Sequence, residues 1–161
     1  MDFPHSDVTP PGLLRSSDGK GPGHEVLERF VGHWSVQGKN PLASVEAGED
    51  ITGVETFQWL TGEYFLEYRW DRVLAHGWHH GVGMIGYDVE DESFFAHFYD
   101  NLGFHRRYDV SVEANRLTFE GKHERGNLQL DDACRTMQIH WERSDGGGWR
   151  RLCDLTGART A

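Results

Sequence analysis

Two histidines, an arginine and a glutamate carry the chemistry this sequence can offer, provided that strand alternation turns them to one side. Side chains on a β-strand point alternately to opposite faces, so a hairpin register assigns each residue a face. In the run SFFAHFYDNLGFHRRYDVSVEANRLTFEGKHE, a two-residue turn at Asn101-Leu102 pairs Tyr99 with Phe104, His97 with Arg106 and Phe95 with Tyr108. His105, Arg107, Asp109 and Ser111 then share the other face, and that polar run marks it as the outside. A second turn at Ala114-Asn115 pairs Val110 with Phe119 and brings His123 opposite Arg106. The expected result is an inward row of His97, Arg106 and His123, bordered by Tyr99 and Tyr108. An inward guanidinium requires a carboxylate, a bound anion or water. An imidazole beside it could serve as a general base, with Arg106 stabilising developing enolate charge.

The same arithmetic reaches a carboxylate. With Thr61-Gly62 as a two-residue turn, Glu55, Phe57, Trp59, Tyr64, Leu66, Tyr68 and Trp70 gather on one face. Thr56, Gln58, Glu67 and Arg69 take the other, so the aromatic face is the inside. Glu55 lies roughly opposite Tyr68, a carboxylate among rings that could act as a general acid. Candidate catalytic residues are therefore His97, His123, Glu55 and Arg106. Candidate ligand contacts are Trp59, Tyr64 and Tyr68, then Met84 in GVGMIG, then Phe95, Tyr99, Phe104 and Tyr108, and finally Phe119. A slip of one residue in a register would carry its side chains to the solvated face.

Other constellations are weaker. His76, His79 and His80 in DRVLAHGWHHG, with Asp71 nearby, contain metal-ligand residue types at a spacing that matches no standard site, so no metal is expected. No Ser or Cys sits in a nucleophile motif, and the glycines fall at turns and strand kinks rather than in a phosphate-binding loop. Cys134 and Cys153 are read as reduced: pairing ACRTMQIHWERS with GWRRLCDLTGAR about SDGGG leaves them about 16 Å apart along the strand, beyond bridging distance.

These residues need an all-β scaffold. At 161 residues the chain is long enough for one core, and no apolar run could span a bilayer as a helix. The opening MDFPHSDVTPPG shows no secretory pattern, which makes a cytoplasmic location the expectation. The formal charge of −10, concentrated between residues 45 and 100, opposes nucleic acid as a partner. All five prolines fall at or before Pro41, and residues 1–23 read as a disordered tail before a single domain over 24–161. Val26, Leu27, Phe30 and Val31 share one helical face, and Gly32 ends the helix.

From Gly32 the pattern is period two, broken by turn residues, and predicts about ten strands. They fall near 32–39, 51–60, 63–72, 80–87, 93–100, 103–112, 116–123, 127–130, 133–143 and 149–158. A meander of that length avoids exposed edges by closing into a barrel.

The run RFVGHWSVQG resembles the start of a calycin, or lipocalin-like, barrel: a short helix, then Gly32-x-Trp34 on the first strand, with Arg159 in LTGART as the Arg that covers the Trp. The wider pattern GVETFQWLTGEYFLEYR, MIGYD, FYDNLG and WERSDGGGW resembles a bacterial family of uncharacterised calycin-like domains related to the DUF1579 group. The resemblance covers about residues 25–160 and implies a closed up-and-down barrel without naming a reaction. Arg106-x-Tyr108 is similar to the inward Arg-x-Tyr with which fatty-acid-binding barrels hold a carboxylate, although there it lies on a late strand. A haem barrel of the nitrobindin kind uses an axial His near the C-terminus, and no His follows His140 here. No cofactor is expected.

Three functions suit such a barrel. The first is a binder of a small aromatic or amphipathic molecule, anionic or carbonyl-bearing, oriented by Arg106 and Tyr108. The second is a cofactor-independent cyclase, isomerase or dehydratase using the same cavity. The third is a ligand-free interaction domain, and a homodimer is compatible with each.

Overall fold

The alternation that begins at Gly32 is realised as ten antiparallel strands in a computed structural model, which describes residues 21–40, 48–75 and 77–161. They are β1 (Gly32–Asn40), β2 (Glu49–Trp59), β3 (Phe65–Leu74), β4 (Gly77–Asp88) and β5 (Ser93–Asp100). The second half holds β6 (His105–Glu113), β7 (Arg116–Glu120), β8 (Glu124–Leu130), β9 (Thr136–Ser144) and β10 (Trp149–Arg159). Each strand pairs with its neighbour in sequence and β1 pairs with β10, so the sheet closes into an up-and-down barrel without a free edge. Residues 1–20, most of the expected tail, and His76 lie outside the described residues.

The helix is α1 (Pro22–Glu28), with a proline in its first turn, where the missing N–H would have no partner anyway. Leu27 and Phe30 are fully buried, and Phe30 packs against Phe57 inside the barrel. His24 meets Trp59 and Phe94, and Arg29 reaches the Asn115 side chain, so α1 plugs the end carrying the β2–β3, β4–β5 and β6–β7 turns. At the same end the Arg159 guanidinium covers the Trp34 ring at 4.3 Å, as the calycin resemblance implies. It also donates to the carbonyls of Cys134, Val31 and Arg29, tying α1 to the last strand. The opposite end of the barrel, with the β5–β6, β7–β8 and β9–β10 turns, has no helix over it among the described residues.

Registers decide the faces. At Ala114-Asn115 both residues have positive φ, the two-residue hairpin forms as expected, and Val110 pairs with Phe119. The β2–β3 connection is two residues longer than a Thr61-Gly62 turn, so Phe57 rather than Glu55 faces Tyr68. Because that shift is even, the aromatic residues and Glu55 keep the inner face. The β5–β6 connection differs by one. Asn101, Leu102 and Gly103 form a three-residue loop with Gly103 at φ 85°, and Phe98 pairs with Arg106. Every side chain of β5 is thereby turned to the face opposite to the expected one.

Candidate functional site

The end left open by α1 holds a cavity of about 360 Å³. Its wall is aromatic: Tyr68 and Trp70 from β3, Phe98 from β5, Tyr108 from β6 and Trp141 from β9. Trp78, Leu102 and Phe104 stand at its mouth and are exposed. Large rings fit in a narrow barrel because glycines oppose them on the neighbouring strand. A Cβ on Gly81 would lie 1.9 Å from Trp70, and one on Gly126 would lie 2.4 Å from Trp141.

Two ionic clusters are set into this wall. In the first, the fully buried Glu55 is bound by the Arg72 guanidinium and accepts the Tyr68 hydroxyl proton at 2.6 Å. Burial, reinforced by Glu55, pushes the Tyr68 phenol well above its usual range. The thiol of Cys153 alongside is pushed up to about 11 by burial. In the second, Glu124 accepts from Arg143 at 2.9 Å and from the Tyr108 hydroxyl at 3.0 Å, and forms an ion pair with Arg106 at 3.2 Å. Asp100 continues the chain, 3.6 Å from Arg106 and 3.3 Å from His79 Nε2.

Two buried polar atoms of the cavity lining, Trp70 Nε1 and Glu49 Oε1, have no hydrogen-bond partner among the described residues. Buried polar groups are nearly always satisfied, so these two are exceptions in the cavity lining.

The expected inward row does not form. Arg106 faces the cavity, but the three-residue loop sends His97 to the outer face, where it lies 3.1 Å from His105. Chain reversal at Lys122-His123 leaves His123 exposed at a turn, and Glu124 takes the inward place beside Arg106. Glu55 is inward as expected, yet Arg72 and Tyr68 occupy both of its oxygens beneath the cavity lining. Of the expected ligand contacts, Tyr68, Phe104 and Tyr108 line the cavity. Phe119 lies behind them against Trp141 and Phe98. Trp59 and Tyr64 belong to the end plugged by α1. Phe95, Tyr99 and Met84 are on the outer face: Met84 pairs with His97, and Tyr99 stacks on His105.

The sequence reading missed Arg72, Asp100, Glu124, Arg143 and Trp141 as site residues. Arg72 shares the parity of Tyr68 and Trp70 and could have been found by carrying the inner face one step further, to the last residue of the expected strand 63–72. Glu124 was hidden because β7 was carried on to His123, past the hairpin. His79, read as a possible metal ligand, belongs to β4 and lines the cavity; no group of three His, Cys, Asp or Glu among the described residues could hold a metal ion.

The model of the family described as "Protein of unknown function (DUF1579)" matches residues 20–147. No curated protein matches. The crystal structure of Rv2717c from M. tuberculosis is 13% identical and superposes with a TM-score of 0.65, covering 88% of this chain and 99% of that one. At that identity the likeness is one of fold. A de novo designed fluorescence-activating β-barrel is 16% identical, with a TM-score of 0.48 over 84% of this chain and 97% of its own. No helix among the described residues is long and apolar enough to cross a membrane.

Proposed function

The chain belongs to the DUF1579 family, whose description gives no activity, and from the cavity itself we propose that it binds a small, neutral aromatic molecule bearing a carbonyl group. The observation that carries this reading is the cavity of about 360 Å³, walled by five aromatic side chains and lined by Trp70 and Glu49, each with a buried polar atom that has no hydrogen-bond partner among the described residues. Its volume is in the range of small-molecule sites, and the rings supply the apolar contact area that gives affinity.

The charges of the wall narrow the guest. Arg72 is neutralised by Glu55, and Arg106 and Arg143 both meet Glu124. A ligand carboxylate would have to displace a protein carboxylate from one of these guanidinium groups. A neutral carbonyl needs no such exchange: the Trp70 N–H can donate to its oxygen, while Glu49 can accept from a hydroxyl or amine elsewhere on the molecule.

Titrating the intrinsic tryptophan fluorescence with neutral aryl ketones and enones, beside the corresponding aryl carboxylates, tests this. The ketones should bind below millimolar and more tightly than the acids, and Trp70→Phe should weaken them. Absence of any binding below millimolar would overturn the reading.

A further inference from the structure

We propose that His79, oriented by Asp100, is a general base that removes a proton from the carbon beside the carbonyl of a molecule held in the cavity, making the barrel a catalyst of carbonyl tautomerisation; this rests on the binding reading above.

The arrangement around Asp100 supplies the argument. Its Oδ1 accepts the backbone N–H groups of Leu102 at 3.0 Å and Phe104 at 3.1 Å, both within the loop that closes the β5–β6 hairpin. With that oxygen anchored, Oδ2 is directed at His79 Nε2, 3.3 Å away. An ionised carboxylate can only accept, so the contact fixes the imidazole with its proton on Nε2 and its lone pair on Nδ1. Nδ1 has no hydrogen-bond partner among the described residues, and His79 lines the cavity with its ring 5.8 Å from that of Trp70. His79, its orienting carboxylate Asp100 and the Trp70 ring therefore line one cavity.

Burial keeps the imidazole neutral, and its charged neighbours act in both directions. Arg72 on β3 opposes its protonation and Asp100 on β5 favours it, with Glu124 on β8 a weaker favourable charge and Arg106 on β6 beyond Asp100. Burial dominates, followed by Arg72, so the pKa falls below the usual 6.5 and the free base prevails at neutral pH.

In the step itself Nδ1 takes the proton, the C–H electron pair forms a carbon–carbon double bond, and the carbonyl π pair moves onto oxygen beside the Trp70 N–H. The imidazolium, its charge balanced by Asp100, returns the proton to another carbon of the conjugated system. The carbonyl re-forms, and nothing else is consumed.

The probe is 5-nitrobenzisoxazole, a planar neutral heterocycle. A base that takes its ring C–H proton breaks the N–O bond, forms a nitrile and releases a coloured nitrophenolate. Its N-methylated analogue, 1-methyl-5-nitrobenzotriazole, has neither that proton nor an acidic N–H, stays neutral and reports binding alone. The protein should eliminate the benzisoxazole about 10²-fold faster than free imidazole at equal concentration. His79→Gln should abolish that excess while still binding the triazole, and His97→Gln, on the outer face, should leave it unchanged. Asp100→Asn, at a positioning residue, should move the acid limb of the rate–pH profile to lower pH. Triazole binding without elimination above free imidazole overturns the base and leaves the binding reading standing. Failure of both compounds to bind overturns both.

Discussion

The guanidinium of Arg106 lies 3.2 Å from the carboxylate of Glu124, in the place that hairpin arithmetic assigned to His123. An inward arginine demanded a partner, and the partner is an acid from the far side of the β7–β8 turn. The polar part of the cavity is thus a set of internally balanced ion pairs, and among the described residues only Trp70 Nε1 and Glu49 Oε1 are buried without a hydrogen-bond partner.

Breaking the deepest pair should be costly. Arg72→Met strands the fully buried Glu55 without a counter-charge and should cost about 3–5 kcal/mol in urea unfolding. Adding Glu55→Gln removes the stranded charge and should recover much of that loss. A double variant as unstable as the single one would contradict the pairing.

Filling the space beneath Trp70 should close the cavity. A Gly81→Ala methyl would lie 1.9 Å from the indole, so the ring must swing toward the lumen. Ligand affinity should fall at least tenfold with a change in the near-ultraviolet circular dichroism, while Gly147→Ala, outside the cavity lining and with its Cβ in only an ordinary 3.5 Å contact with Asp145, should leave affinity unaltered.

The Arg159 side chain ties three carbonyls and one indole together at the closed end. Arg159→Ala should destabilise the barrel by about 2–3 kcal/mol, the range for hydrogen bonds to a charged group together with a buried cation–π contact. Hydrogen exchange should quicken first in α1 and at the start of β1.

Acid should act through His79. Its folded pKa is depressed, mainly by burial, so the unfolded chain binds the proton more readily. The linked stability is complete above the unfolded value near 6.5 and is lost as the pH falls from there through the folded pKa. His79→Gln should flatten the unfolding free energy between neutrality and pH 5. An unchanged slope would place the titration elsewhere.

The fold was legible because its signals are local and redundant. Ten alternating segments separated by turn residues, Gly32-x-Trp34 and Arg159 each pointed to the same closed sheet. The site depended on single connection lengths. At Thr61-Gly62 an error of two residues was harmless, since parity survived and Glu55, Tyr68 and Trp70 stayed inside. At Asn101-Leu102 an error of one exchanged His97, Phe95 and Tyr99 for Phe98 and Asp100. The run Asp100-Asn-Leu-Gly103 did contain the signal: an Asp opening the loop, whose carboxylate binds amides two and four residues on, and a Gly three residues on that accepts positive φ. Long-range pairs such as Glu55 with Arg72 follow from strand parity alone, whereas Glu124 needed the position of the Lys122-His123 turn.

The most direct test of the binding claim is a ¹⁵N–¹H NMR titration that follows the tryptophan indole N–H resonances as benzylideneacetone, a neutral aryl enone, is added. The Trp70 resonance should move saturably with added ligand, as an unpartnered N–H acquires a carbonyl acceptor, while that of Trp34, bonded to the Phe30 carbonyl at 2.9 Å, stays fixed. No saturable shift at Trp70, or shifts confined to outer-face residues such as Tyr99 and His105, would contradict it.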